Sequence, residues 1–165
     1  MNPRNQLQRL QKKLTGLKVT FRRLVGNSLI IYLGCEPGNK EGYVIWFEPC
    51  WNFCGPSKVL AGSCQSELAV GPYQAEGFKK IAPLLDKLIG RKIVSVQVEP
   101  RSNHLKVLFI GGYQLTTFID DPEKNESWHI TDNGSELVIY ASPSGIEIRK
   151  NKKRENRIPV DRMRH

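Results

Sequence analysis

The sequence predicts an α+β fold, rich in strands and built from two diverged repeats, each of one helix followed by antiparallel strands. Three observations lead there. A helix, glycine and strand series from the N-terminal half recurs in the C-terminal half. Short runs of β-branched and aromatic residues alternate with glycine-bearing turns. The chain has 165 residues, 39% of them apolar, which suffices for one core without disulfides.

The repeat begins with a helix. Leu7, Leu10, Leu14 and Leu17 follow the spacing of one helical face, and Phe78, Ile81, Leu85 and Leu88 do the same later in the chain. Leu7, Leu10, Leu14 and Gly16 recur at a constant offset of 74 as Ile81, Leu84, Leu88 and Gly90. Glycine is the residue that best adopts the left-handed conformation after a helix end, so both helices are expected to stop there. Pro83 is expected at the start of the second helix or at a kink in it.

The match continues into strands. Lys18-Val19 corresponds to Lys92-Ile93, Leu29–Leu33 to Leu105–Phe109, Trp51 to Trp128, and Val59-Leu60 to Val138-Ile139. Gly26-Asn27, Gly111-Gly112 and Asn133-Gly134 each separate two apolar runs by the two-residue loop that tight hairpins prefer. The organisation read from this is one duplicated domain over 1–149, with repeat one at 5–63, a linker at 64–77 and repeat two at 78–149. Residues 150–165, nearly without apolar side chains, read as a disordered basic tail.

The net charge of +9 is unevenly placed. Residues 1–23 hold seven Lys/Arg and no acid, and residues 146–165 hold eight against three acids. The body between them holds ten basic and thirteen acidic residues, so it is mildly acidic and no Lys/Arg-lined groove is implied. No stretch has the ~20 apolar residues of a membrane span, and the N-terminus lacks the apolar core of a signal peptide. A cytoplasmic location is the expectation.

Cys35, Cys50, Cys54 and Cys64 fall in one thirty-residue window, but only Cys50 and Cys54 have the close spacing of a zinc knuckle, so buried thiols are expected and no metal. No cofactor is expected either. Nucleophile elbows, zinc-protease motifs, phosphate loops and dinucleotide fingerprints are absent from the sequence. Of the three histidines, His165 is terminal, His104 sits beside a turn and His129 lies on a strand next to Trp128. A non-enzymatic protein is the expectation. The densest carboxylates, Asp120, Asp121, Glu123 and Glu126, lack the alternation of a calcium loop. They read as a solvated loop or a patch for a basic partner, with Glu41 and Glu48 in comparable places in the first repeat. The aromatic run Tyr43, Trp46, Phe47, Trp51 and Phe53 fits a strand covered on both faces, or an interface anchor.

The segments Ile45-Trp46-Phe47-Glu48-Pro49-Cys50-Trp51, Leu88-Ile89-Gly90-Arg91-Lys92-Ile93 and Glu126-Ser127-Trp128-His129-Ile130 resemble a bacterial domain family of unknown function, similar to the immunity proteins of polymorphic toxin systems. The likeness covers about residues 14 to 148. It implies a protein-binding module that neutralises or regulates a partner such as a toxin; the acidic loop and the aromatic run supply Glu41, Glu48, Trp51, Asp120, Asp121, Glu123 and Glu126 as the candidate partner-binding residues. The alternative is a nucleic-acid-associated protein gripping phosphates through Arg9, Lys12, Lys13, Lys150, Lys152, Lys153 and Arg154.

Overall fold

The structure, a computed structural model, describes residues 2–67, 72–119, 121–123 and 126–150. The first helix, α1 (Pro3–Leu14), starts where the sequence supplies a cap: the Asn2 side chain accepts from Arg4 N at 3.0 Å, and Pro3, which has no amide hydrogen to satisfy, opens the helix. Leu7, Leu10 and Leu14 are buried, and Gly16 follows the helix end with a φ of +87°.

The strands of the first half are β1 (Val19–Val25), β2 (Ser28–Leu33), β3 (Tyr43–Phe47), β4 (Trp51–Cys54) and β5 (Val59–Gly62). A short helix α2 (Cys64–Glu67) and a longer one, α3 (Pro72–Leu85), lead through a 3-10 turn at Asp86–Leu88 into the second half. There the strands are β6 (Ile93–Val98), β7 (Leu105–Phe109), β8 (Tyr113–Thr117), β9 (Trp128–Asp132), β10 (Leu137–Ser142) and β11 (Gly145–Lys150). No described helix is long and apolar enough to cross a membrane.

All strand pairs are antiparallel, in a six-stranded sheet of order β1-β2-β3-β9-β10-β11 and a five-stranded sheet of order β5-β4-β8-β7-β6. Their inner faces share one core that includes Ile31, Ile45, Phe47, Trp51, Phe53, Val107, Leu115, Trp128 and Ile139. Helix α1 packs against β6 and β11, and α3 packs against β5. Replacing each strand of the five-stranded sheet by its counterpart five places along the chain gives β10-β9-β3-β2-β1, the other sheet without β11.

The sheets meet at a bridge between Lys18 and Lys92. Around it Gly16 N donates to Ile93 O at 2.8 Å and Gly90 N to Val19 O at 2.7 Å, while Ile93 N donates to Leu17 O at 2.9 Å and Val19 N to Arg91 O at 3.0 Å. Both glycines have positive φ, and the register of both flanking pairs slips at the same place, between Val19 and Phe21 and between Ile93 and Ser95. Two buried indoles also make like bonds. Trp51 Nε1 donates to Asn27 O and Trp128 Nε1 to Asn103 O, each at 2.7 Å.

The structure departs from the sequence reading in four places. The 64–77 segment contains α2 and the first six residues of α3, because Pro72 opens the helix and Gly77 lies within it, so both turn signals there are overridden. Pro83 sits in the last turn of α3, after which the chain tightens into the 3-10 turn. Two hairpin loops are longer than the two residues expected: the β7–β8 loop spans three, Ile110, Gly111 and Gly112, because Phe109 pairs with Tyr113, and the β9–β10 loop spans four, since Asp132 still pairs and its Oδ1 accepts from Gly134 N at 3.1 Å and Ser135 N at 3.2 Å. Finally, β11 was not expected, and it takes in Lys150. The rest of the expected tail, 151–165, lies outside the described residues.

Candidate functional site

In a strand, alternate side chains face opposite ways, so register fixes what each face of a sheet presents. In the six-stranded sheet the aligned residues Ile31, Ile45, Ile130 and Ile139 point into the core and are 0% exposed. The next row out is Arg23, Ile30, Trp46, His129, Tyr140 and Glu147, one residue from each strand. Beyond the core row on the other side, Phe21, Tyr32, Val44, Thr131, Val138 and Arg149 align in the same way.

Trp46, His129 and Tyr140 therefore form a ladder across three strands. The indole and imidazole stack with centroids 5.3 Å apart and 24° between planes, and the imidazole and phenol lie 5.3 Å apart at 44°. Glu126 bonds His129 Nδ1 and fixes the imidazole from the rim. The Arg149 guanidinium lies 5.0 Å over the Tyr140 ring and pairs with Glu147 at 2.7 Å. That hydrogen bond, and then the charge of Glu147, push the Arg149 guanidinium further above its ordinary pKa. Phe21, 41% exposed, meets Tyr32 edge to face at 5.7 Å.

Beside Tyr140 a cavity of about 570 Å³ opens between the β9 approach and the β10–β11 hairpin, lined by Glu123, Glu126, Tyr140, Ser142, Glu147 and Arg149 among others. The corresponding face of the five-stranded sheet differs in kind. Its rows are Gln97, Lys106, Thr116, Asn52 and Gly62, and Ser95, Leu108, Gln114, Cys54 and Val59, with no aromatic side chain in either.

The expected partner-binding residues scatter. Glu123 and Glu126 come together at the cavity. Asp121 is exposed and caps its own turn, accepting from Glu123 N at 2.8 Å, and Asp120 lies outside the described residues. Glu48 is at the end of β3 nearest Glu126, where its amide bonds Ser127 O at 3.0 Å and its carboxylate accepts from Ser28 Oγ at 2.5 Å. Glu41 is at the opposite end of β3, exposed, with its carbonyl accepting from Asn133 at 3.4 Å. Trp51 is corrected to a core residue. It is 2% exposed and its indole nitrogen is bonded internally, so it has no surface to offer a partner.

The basic residues of the alternative reading are spread along α1, where Arg9, Lys12 and Lys13 are exposed and Lys13 lies 3.6 Å from Asp132. Lys150 is exposed at the end of β11, while Lys152, Lys153 and Arg154 are outside the described residues. His104 accepts from Ile119 N at 3.1 Å through Nε2. None of the four cysteines is in a disulfide; Cys35 is 4% exposed, and burial pushes its thiol up from the usual range. Among the described residues no three His, Cys, Asp or Glu side chains converge as a metal site.

Sequence reasoning missed Tyr140 and Glu147, and it left Trp46 open between a doubly covered strand and an interface anchor. The signal was the alternation of Tyr140 with Ile139 and Ala141, and of Glu147 and Arg149 with Ile146 and Ile148. Comparison of the chain with protein families, with curated proteins and with solved structures finds no match.

Proposed function

We propose that the chain is a non-enzymatic protein-binding module, immunity-protein-like, that neutralises or regulates a basic partner protein such as a toxin through the outer face of its six-stranded sheet. The observation that carries this reading is the contrast between the two outer faces. One presents Phe21, Tyr32, Trp46, His129 and Tyr140, while the other presents Ser95, Leu108, Thr116, Asn52 and Gly62 at the aligned places. Aromatic rings held rigidly at a surface are the side chains that dominate protein interfaces. The carboxylates Glu48, Glu123, Glu126 and Glu147 lie around that face and complement a basic surface.

We further read the chain as an internal duplication in which each half lends its last strands to the other half's sheet. The paired bonds at Gly16 and Gly90, the matching register slips, the two indole bonds and the strand orders support this. Only one of the two related faces then carries the aromatic array, which is what divergence toward a single binding role produces.

The test is affinity capture from nuclease-treated host lysate with three baits: the native chain, Trp46→Ser with Tyr140→Ser, and Lys106→Glu on the other face. A protein held by the native and Lys106→Glu baits but released from the double variant supports the reading. Equal retention by all three, or recovery of nucleic acid in place of protein from untreated lysate, overturns it.

A further inference from the structure

We infer that the cavity beside Tyr140 is a receptor for an arginine side chain of the partner, whose guanidinium stacks on the Tyr140 ring between Glu126 and Glu147. The inference rests on the docking face proposed above and names what that face recognises. The cavity, about 570 Å³, has ample room for a side chain. Its described lining holds three carboxylates, Glu123, Glu126 and Glu147, and one cation, Arg149.

Arg149 shows what the ring face accepts. Its guanidinium already lies 5.0 Å above Tyr140, the geometry in which a delocalised planar cation is attracted to an aromatic quadrupole. Arg149 is loosely held, because it and Glu147 are 62% and 59% exposed, and exposed ion pairs of this kind contribute little. An incoming guanidinium can therefore share the ring or displace Arg149 onto Glu147 alone.

The ring is also prepared for its ligand. His129 lies tilted against Tyr140, Trp46 stacks on His129, and Glu126 holds the imidazole. A fixed platform loses little conformational freedom on binding. Arginine is favoured over lysine because a planar fork can stack on the ring and bond a carboxylate in the same pose.

The experiment is an NMR titration of the full chain with the capped tripeptide acetyl-Gly-Arg-Gly-amide, against the same peptide with neutral citrulline. Saturable shifts of the Tyr140, His129 and Trp46 ring signals with the arginine peptide, and a response at least about threefold weaker with citrulline, are expected. Tyr140→Leu should abolish the shifts of the remaining rings, Tyr140→Phe should keep them, and Arg149→Met should tighten binding by about threefold. Equal responses to arginine and citrulline, or shifts that bypass Tyr140, overturn the inference. If the peptide fails while capture still depends on Trp46 and Tyr140, the docking face stands and only the arginine receptor falls. Peptide binding with capture indifferent to the face has the opposite meaning.

Discussion

The three tryptophans offer a graded test of the fold, because each indole nitrogen has a different fate. Trp128 is 0% exposed and bonds Asn103 O at 2.7 Å; Trp51 is 2% exposed and bonds Asn27 O at the same distance. Replacing Trp128 by Phe strands a buried carbonyl, which costs about 1–3 kcal/mol. It also removes roughly 40 Å² of buried apolar surface, or about 1 kcal/mol at 25 cal/mol per Å². Trp128→Phe is therefore expected to lose about 2–4 kcal/mol in all. Trp51→Phe should fall at the lower end, because Asn27 is only part-buried and water can reach its carbonyl. Trp46 differs, since its nitrogen is buried without a partner among the described residues. Removing that donor relieves a desolvated group and offsets the lost stacking, so Trp46→Phe should stay within about 1 kcal/mol of the native chain. Urea unfolding followed by far-ultraviolet circular dichroism measures all three, provided the dependence on denaturant is unchanged. A Trp46→Phe variant as damaged as Trp128→Phe would refute the assignment of Trp46 to the outer face.

Three further outcomes follow from single features. Gly16→Ala and Gly90→Ala place a side chain at φ of +87° and +80° with open space around it, so each should lose about 1–2 kcal/mol from backbone strain alone, read from thermal melts. A thiol reagent should modify exposed Cys64 first and Cys35 only when the protein unfolds, as timed alkylation with mass spectrometry reports. Glu99 is held below the ordinary value of 4.5 by the Ser102 amide, the Ser102 hydroxyl and the Arg101 amide. Its contribution is therefore present above that value and is lost as pH falls through the lower folded-state value. Glu99→Gln should melt below the native chain at neutral pH and converge with it in acid, and parallel curves across the range would contradict this.

How much was legible depended on whether the signal was local. Helix α1 could be read from its leucine spacing and from Gly16, and the hairpins at Gly26-Asn27 and Gly111-Gly112 from their turn residues, because each is decided within a few positions. The start of α3 was hidden because Pro72 and Gly77 are also linker residues, and only the helix that forms around them shows which role they take. Strand β11 was hidden by its charges, with Ile146 and Ile148 alone carrying the alternation among Glu147, Arg149 and Lys150. The aromatic face was illegible for a further reason. Tyr43–Phe47 is apolar at every position, so its covered face cannot be told from its open one. Trp46, His129 and Tyr140 become neighbours only through the pairing of β3 with β9 and of β9 with β10, the first of which no local pattern encodes.

The pairing of early strands with late ones bears on how the chain is made. Strand β3 must wait for β9 and strand β4 for β8, so neither sheet can close on the ribosome from the first half alone. With about 85 residues between β3 and β9, the delay is roughly 4–17 s at 5–20 residues per second of synthesis. Throughout that interval the free edge of β3 exposes Tyr43–Phe47, the kind of apolar strand that templates misassembly. The nascent first half is thus a dependent of the second, which makes chaperone protection during translation, or complementation by a separately expressed second half, the natural route to the folded state.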